Sequence, residues 1–324
     1  EADFYKLFCL YLGANVFVRR RPLLPLPDRP AVYGPTMPTL NLPLSGRVAL
    51  VTGANTGIGL VTARVLAERG AHLFVTCRNA ATGAAALEQI RSGSGNLQVE
   101  ALSMDLADFA SVRACAQAFL ARELPLHILI NNAGLGGTSG LTASGFELAF
   151  GVNHMGHFLF TQLLLERIQR SAPARIVTVA SRAHFRATGL DWEALRQGTR
   201  SRTGIDEYCN SKLANVLFSA ELGRRLQGSG VSTYAVHPGV VASDVWRAVP
   251  WPIRPLMKLG MISTEEGAAT SLHCATAPEL ATASGLYYDK CRPRPPGALA
   301  LDVALAAQLW QRCEAWTERE ASAR

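Results

Sequence analysis

The chain has 324 residues, of which 48% are hydrophobic and 18% charged, so it can bury a large core and is not a disordered polypeptide. Its net charge of +7 comes almost entirely from arginines, which are scattered except at positions 19–21, and this distribution argues against nucleic-acid binding. The seven cysteines form no CxxC pair, which indicates free thiols in a reducing compartment and no metal site.

The first 21 residues form a separate hydrophobic segment. Residues 7–18 are apolar apart from Asn15 and precede the three arginines, but a helix needs about 20 residues to span a bilayer. Three interpretations remain: a short signal-anchor, a helix lying in the interface, or a stretch packed on the domain. We expect membrane association of residues 1–21, with the arginines keeping the rest of the chain on the cytoplasmic side. Residues 22–45 are proline-rich and are interpreted as a linker.

Short β-branched runs then alternate with helical-length segments over residues 46–290. We predict strands at 47–52, 72–76, 97–102, 128–131, 175–180 and 231–236. This alternation predicts a single α/β domain of the Rossmann type, with a doubly wound parallel sheet covered by helices on both faces. Residues 291–324 would form a C-terminal loop and helix. The proline-rich stretch 290–302 is expected to be a surface loop, with the last helix at about 301–316.

A glycine-rich turn follows the first predicted strand. Gly53, Gly57 and Gly59 lead directly into a helix predicted from Ile58, so backbone N–H groups and a helix N-terminus can approach a pyrophosphate. An NAD site normally presents a carboxylate about 20 residues later, but here the second strand is followed by Arg78. An arginine at that place accommodates a 2′-phosphate, which predicts NADP(H) as the cofactor.

Tyr208 and Lys212 lie four residues apart on a predicted helix, and therefore on one face of it. Random placement of the seven tyrosines and the few lysines would give only ~0.1 such pairs, so chance is a poor explanation. A tyrosine is a poor acid or base near neutral pH unless a cation favours its phenolate. Lys212 is placed to be that cation.

Six motifs occur in the order and approximate spacing of the short-chain dehydrogenase/reductase family, which the chain resembles over residues 46 to about 290. They are TGANTGIG (52–59), NNAG (131–134), Asn153 in GVNHMGHF, Ser181 in VTVAS, YCNSK (208–212) and HPGVV (237–241). Within the family the chain looks like the retinol dehydrogenase branch that faces the cytosol from the endoplasmic reticulum.

The resemblance implies roles for individual residues. Tyr208 would donate the proton in carbonyl reduction, Ser181 would bind the substrate oxygen, and Asn153 would hold a water that links Lys212 to solvent. Lys212 would also bind the nicotinamide ribose and promote the phenolate. The residues implied in cofactor binding are Gly53, Asn55, Thr56, Gly57, Ile58, Gly59, Arg78, Asp105, Leu106, Asn131, Ala133, Gly134, Tyr208, Lys212, Pro238, Gly239, Val241 and Ser243.

The chain departs from this branch at two places beside the motifs. Ala180 stands where a second serine is frequent, and the segment LGG (135–137) follows NNAG where bulkier residues are usual. We therefore expect a pocket of altered shape. His154, His157 and His184 are interpreted as structural or pocket-lining, because the tyrosine already serves as acid and base.

An apolar stretch at 245–262, with two tryptophans and three prolines, follows the nicotinamide-binding motif. It predicts a lid suited to a lipophilic carbonyl compound such as retinal or a long-chain aldehyde. The alternative is a loop that packs on its own domain or touches a membrane. Two functions remain from the sequence: an NADP(H)-dependent oxidoreductase of retinol or lipid metabolism, or a catalytically idle nucleotide-binding scaffold or redox sensor. The sequence makes no prediction of the oligomeric state.

Overall fold

The structure, a computed structural model, describes residues 43–241 and 262–322. Its eight strands form one sheet in the order β3-β2-β1-β4-β5-β6-β7-β8, in which β1 to β7 are parallel and β8 pairs antiparallel with β7. The strands are β1 Val48–Thr52, β2 His72–Cys77, β3 Val99–Ser103, β4 Ile128–Asn131, β5 Ala174–Val179, β6 Val231–His237, β7 Leu286–Asp289 and β8 Arg292–Pro293. The predicted fold class, a doubly wound parallel sheet in an α/β domain, is confirmed.

Seven helices cover the sheet in the described part of the chain. They are α1 Gly57–Glu68, α2 Ala80–Ser94, α3 Phe109–Leu120, α4 Gly156–Arg170, α5 Ile205–Arg225, α6 Thr264–Thr276 and α7 Val303–Ser322. A short α-helical turn, Leu148–Phe150, and a π-helical turn, Gly151–Met155, run directly into α4.

Successive strand residues point to opposite faces of the sheet, and two hydrophobic cores result. Leu50 and Phe74 belong to the core beneath α3, α4, α5 and α7, whereas Val51 and Val75 belong to the core beneath α1, α2 and α6. Because both faces are covered, β1 and β4 are apolar up to their last residues, Thr52 and Asn131, and every residue of both strands is buried.

The predicted strands agree with the structure except at their ends and at the sheet edge. The third strand begins at Val99 rather than Leu97, whose side chain is 79% exposed. The short strands β7 and β8 were not predicted. They are joined by Lys290 and Cys291, both with positive φ (53° and 58°), in a tight turn that sequence patterns assign to glycine or asparagine.

The stretch 290–302 is therefore more than a surface loop. It contains β8 and a 3₁₀ turn, Ala298–Leu301, in which Ala300 is buried. The last helix begins at Val303, slightly later than predicted, and extends to Ser322. Its Trp310 stacks on Phe218 of α5 with ring centroids 5.9 Å apart, so α7 belongs to the core of the same domain.

Residues 43–45, at the end of the predicted linker, lie against the domain. Leu44 is buried in the core beneath α1, and its N–H donates to the carbonyl oxygen of Arg69 at a distance of 2.6 Å. The hydrophobic segment 1–21 and the linker up to residue 42 lie outside the described residues.

Candidate active site

The predicted site residues lie at the carboxyl ends of the parallel strands. Strand β1 has β2 on one side and β4 on the other, so the strand order reverses between β1 and β4. Ligands of doubly wound sheets bind outside the carboxyl ends of the strands at such a reversal. The glycine-rich turn follows β1, and NNAG begins at the end of β4.

The glycine-rich turn depends on the absence of side chains. Gly53 has a φ of 64°, and a Cβ there would lie 2.7 Å from the Cβ of Ala133. A Cβ on Gly59 would lie 2.4 Å from both the carbonyl oxygen of Gly53 and the Nδ2 of Asn132. The turn therefore packs against NNAG and leads into α1, which begins at Gly57. The first N–H groups of this helix lack partners within the helix. This arrangement fits a pyrophosphate.

The other predicted residues of this turn border the same place. Asn55 and Ile58 are half-buried, and Thr56 is exposed immediately before α1.

Thr52 connects the two loops, and the sequence analysis gave it no role of its own. Its Oγ1 accepts hydrogen bonds from the N–H groups of Asn132 (2.9 Å) and Ala133 (3.0 Å). The Asn132 side chain in turn donates to the carbonyl oxygen of Thr52 at 2.8 Å. The pairing of β1 with β4 brings these residues together, and knowledge of the strand order would have been the signal.

Arg78 and Asp105 follow β2 and β3. They lie on the side of the sheet away from the predicted catalytic group, which consists of Asn153, Ser181, Tyr208 and Lys212. Arg78 is exposed, and within the described residues its side chain forms no ion pair or hydrogen bond. Asp105 accepts a hydrogen bond from the N–H of Ala107 (3.0 Å), which fixes the turn after β3. Leu106 is buried in the core and lies against Gly156 of α4.

Asn131 and Gly134 stand at the two ends of NNAG. The Nδ2 of Asn131 donates to Oγ1 of Thr161 on α4 (2.9 Å), so this side chain turns into the domain. Gly134 faces the predicted catalytic group. A Cβ there would lie 3.2 Å from Oδ1 of Asn153 and 3.6 Å from Nζ of Lys212.

The HPGVV segment lies against the start of α1. Gly239 has a φ of 89°, and a Cβ on it would meet the side chain of Ile262 at 2.4 Å. Val241 forms a parallel bridge with Ile262 and packs beside Gly267 of α6, which also contacts Ile58. Pro238 is half-buried before this bridge. Ser243 and the predicted lid, apart from Ile262, lie outside the described residues.

Tyr208 and Lys212 occupy successive turns of α5, as their spacing predicts. The Nζ of Lys212 lies 5.6 Å from the centroid of the Tyr208 ring and donates to the carbonyl oxygen of Val179 at 2.9 Å. Ser181, two residues beyond Val179, is buried, and its Oγ accepts from the N–H of Ala183 (3.2 Å).

Burial changes the acidity of the lysine. The side chain is only 3% exposed, and desolvation lowers the pKa of Lys212 from 10.5 to about 8. No carboxylate among the described residues forms an ion pair with it. The ammonium is therefore held by backbone oxygen and kept beside an aromatic ring, an arrangement able to support proton transfer.

Asn153 lies in the π-helical turn before α4 and is fully buried. Its side chain forms a two-point contact with the backbone of Leu135, accepting at Oδ1 from the N–H and donating from Nδ2 to the carbonyl oxygen, both at 2.9 Å. Nδ2 also donates to Oγ of Ser211, beside Lys212. A single π-helical turn within an α-helix is frequent at functional sites. The sequence identified Asn153 but not this geometry.

The altered segment after NNAG contacts the tyrosine. A Cβ on Gly136 would lie 3.0 Å from Cδ2 and 3.2 Å from Cε2 of the Tyr208 ring. The absence of a side chain at Gly136 thus leaves room for the ring.

The three histidines are buried. His154 lies 3.2 Å from Oδ1 of Asn215, His157 contacts Thr52 and the backbone of Asn153, and His184 contacts the carbonyl oxygen of Ser181 at 2.7 Å. Burial lowers the pKa of all three, to about 3 for His154 and about 4 for His157.

In the described residues, no helix is both long enough and apolar enough to cross a membrane.

The six cysteines of the described residues are free thiols, and burial raises the pKa of Cys115 to about 12 and that of Cys209 to about 11.

Comparison with known proteins agrees with the family resemblance found in the sequence. The family model described as short chain dehydrogenase matches residues 47–192. Human retinol dehydrogenase 12 is 48% identical over 277 residues, which cover 83% of this chain and 86% of that protein.

Two solved structures are similar in fold and sequence. A putative uncharacterized protein from Mycobacterium paratuberculosis is 32% identical, with a TM-score of 0.69, over 86% of this chain and 95% of that chain. The Pseudomonas aeruginosa RhlG/NADP active-site complex is 28% identical, with a TM-score of 0.60, over 82% of this chain and 100% of that chain.

Proposed function

The chain belongs to the short-chain dehydrogenase/reductase family of oxidoreductases, and from this we propose that it is an NADP(H)-dependent enzyme acting on a lipophilic alcohol and its aldehyde or ketone. Retinol and retinal, or long-chain aldehydes, are the proposed substrates. Retinol dehydrogenases 11, 12 and 13 are among its relatives at 42–48% identity, which favours this substrate class.

One observation carries the proposal: the buried Lys212 ammonium lies beside the Tyr208 ring. A cation close to a phenol favours the phenolate, and this is the form a tyrosine needs to act as a base. The neutral backbone oxygen of Val179 holds the ammonium without cancelling its charge. A purely structural lysine would instead be expected to reach solvent.

The catalytic roles follow from this pair. The nicotinamide cofactor, when bound, supplies or takes up the hydride. Ser181 hydrogen-bonds the substrate oxygen, and Tyr208 delivers its hydroxyl proton to that oxygen during reduction or removes it during oxidation. Lys212 binds the ribose and stabilises the phenolate, and Asn153 holds the water that replenishes the proton.

The turn from Gly53 to Gly59 and the N-terminus of α1 fit the pyrophosphate. We assign the 2′-phosphate to Arg78, because its guanidinium is exposed and no acidic residue follows β2 until Glu88. The RhlG complex with NADP, 28% identical, supports the same cofactor. The other cofactor contacts are those implied by the family motifs, including Ser243.

We place the enzyme at a membrane, that of the endoplasmic reticulum, with residues 1–21 as the membrane-associating segment and 22–45 as a linker. The catalytic domain, 46–290, and the C-terminal loop and helix, 291–324, would face the cytosol. The apolar segment 1–21 and its arginines support this assignment. Fractionation of cells expressing the full chain, and the chain without residues 1–21, tests it: recovery of both in the same soluble fraction contradicts it.

The experiment that tests the function combines turnover with binding. The full chain should oxidise NADPH in the presence of retinal or a long-chain aldehyde. Tyr208→Phe keeps the ring and removes the hydroxyl, so kcat should fall about 10²- to 10⁴-fold while the Kd for NADPH changes by less than about twofold.

Tyr234→Phe is the matched control, because its hydroxyl donates to the carbonyl oxygen of Leu280 beneath the sheet, away from the site. This variant should retain turnover. Near wild-type kcat for Tyr208→Phe would refute the acid–base assignment. A folded wild-type chain that binds NADPH and reduces none of the aldehydes would favour the idle scaffold.

A further inference from the structure

His157 connects two parts of the site that belong to different sequence motifs: Thr52 at the end of β1 and the backbone of Asn153. It lies in the first turn of α4, is 1% exposed, and has partners at both ring nitrogens. Nδ1 lies 3.0 Å from the carbonyl oxygen of Asn153, and Nε2 lies 2.8 Å from Oγ1 of Thr52. The two partners are 101 residues apart in sequence and belong to the catalytic group and the end of β1.

The partners determine the tautomer of the ring. A carbonyl oxygen can only accept, so Nδ1 must carry the proton. Burial lowers the pKa of His157 to about 4, so the ring is neutral near pH 7 and Nε2 must accept. Thr52 is therefore the donor to Nε2, which its 2.8 Å distance favours over the 3.4 Å distance to the carbonyl oxygen of Ile130.

The Thr52 hydroxyl extends this chain into NNAG. While its proton is directed to His157, its oxygen accepts from the N–H groups of Asn132 and Ala133. The hydrogen bonds thus run in one direction, from the NNAG backbone through Thr52 and His157 to the carbonyl of Asn153. Bonds in such a chain polarise and strengthen one another.

The Asn153 end of the chain lies at the catalytic group. Its side chain holds the backbone of Leu135, and its Oδ1 and the Nζ of Lys212 both lie beside Gly134. Asn153 sits in the π-helical turn that runs directly into α4. The His157 ring bonds this turn at its carbonyl oxygen.

We propose that His157 is a positioning residue that couples the dinucleotide-binding loops to Asn153, so that ordering of NNAG by the cofactor also fixes the catalytic turn. The proposal rests on the proposed function, in which NNAG lines the cofactor and Asn153 serves proton transfer. It assigns a role to a side chain that touches neither the substrate nor the cofactor.

Two conservative substitutions separate the two ends of the chain. His157→Asn retains an amide near the position of Nδ1, and so can still donate to Asn153, but it is too short to reach Thr52. His157→Gln places an amide oxygen near the position of Nε2, and so can still accept from Thr52, but it loses the donor to Asn153. The two variants should therefore fail differently.

Amide hydrogen exchange of the free protein reports each end directly. His157→Asn should speed exchange of the Asn132 and Ala133 amides and raise the Kd for NADPH about tenfold. His157→Gln should instead speed exchange of the Leu135 amide, change the Kd by less than about twofold, and lower kcat about tenfold at saturating NADPH. His127→Gln is the matched control, because its ring accepts from Val48 N–H at the amino ends of the strands; it should alter none of these values.

If the His157 variants fold poorly, Thr52→Val tests the same link from its other end. It removes the donor to Nε2 and the acceptor of the Asn132 and Ala133 amides, so exchange at these two amides should speed up, whereas the Leu135 amide should lose only the extra protection that NADPH gives it in wild type. The proposal is overturned if both His157 variants change the same amides equally, or if NADPH protects the Leu135 amide in Thr52→Val as strongly as in wild type. If the wild type reduces no aldehyde, the proposed function fails, while the exchange pattern and the NADPH Kd still decide the coupling.

Discussion

Arg78→Asp should reverse the dinucleotide preference of the enzyme. Arg78 is exposed directly after β2, and its side chain forms no hydrogen bond or ion pair within residues 43–241 and 262–322, so its loss removes no polar side-chain contact of that part of the fold. The neighbouring Asn79 caps α2 by accepting from the N–H groups of Ala81 and Thr82, which holds this loop independently of Arg78. The substitution therefore acts on the ligand rather than on folding.

Two effects of the same sign set the magnitude. Losing a charge-assisted hydrogen bond to the 2′-phosphate costs ~1.5–3 kcal/mol. A carboxylate placed ~4 Å from that phosphate adds a repulsion of about 1 kcal/mol in a water-exposed site. The same carboxylate accepts from the ribose 2′-hydroxyl of NADH. Together these predict a change of roughly 100-fold in the preference.

The quantity to measure is the ratio of kcat/KM for NADPH to that for NADH, in wild type and variant, at one ionic strength. Arg170→Asp is the matched control, since it makes the same change of charge at the end of α4, where the arginine pairs with Glu166. It should leave the ratio unchanged. A wild type that prefers NADH, or a ratio that Arg78→Asp does not move, would show that Arg78 is only a surface arginine.

Two further predictions concern the catalytic group. Gly136→Ala should lower kcat about threefold to tenfold with little change in the NADPH Kd, because the added Cβ comes within 3.0 Å of the Tyr208 ring and displaces it; unchanged kcat would mean that the ring moves freely. Lys212→Met should abolish turnover. In wild type, the pKa of Lys212 is about 8 in the folded state and 10.5 in the unfolded chain, so between these two pH values the unfolded chain binds one more proton than the folded protein. The free energy of unfolding of wild type should therefore rise relative to Lys212→Met by about 3 kcal/mol from pH 8 to 10.5, and parallel curves would contradict burial of the charge.

Sequence reasoning succeeded where the signal was local. Six of the eight strands and the spacing of Tyr208 and Lys212 on one helix could be predicted, because strand runs and helical spacing are properties of neighbouring residues. The last two strands, β7 and β8, were missed, since both are short and their turn, at Lys290 and Cys291, contains no glycine.

Contacts between distant parts of the chain could not be predicted in this way. The bond from Thr52 to His157 depends on how α4 packs on the end of β1, and the contact of Asn153 with Leu135 depends on a π-helical turn that has no periodic signature. The resemblance to a family predicted that Asn153 is a site residue. It did not predict which side chains and backbone groups hold Asn153 in place.

Three buried polar residues of the sheet lie where strands end. Thr52, Asn131 and His237 are the last residues of β1, β4 and β6. Burying such groups costs ~1–3 kcal/mol each unless they are hydrogen-bonded, so they do not stabilise the sheet itself. Two of them fasten loops, since Thr52 binds the NNAG backbone and His237 accepts from the N–H of Arg182, next to Ser181.

Lys212 follows the same rule from the helix side. Keeping its ammonium in the interior lowers its pKa from 10.5 to about 8, and the carbonyl oxygen of Val179, the last residue of β5, is its hydrogen-bond acceptor. The apolar interior of the sheet thus supplies the stability that allows polar groups to be buried at the carboxyl ends of its strands. In the proposed function these ends face the dinucleotide, so the hydrogen bonds that satisfy the buried groups also hold the loops that would bind it.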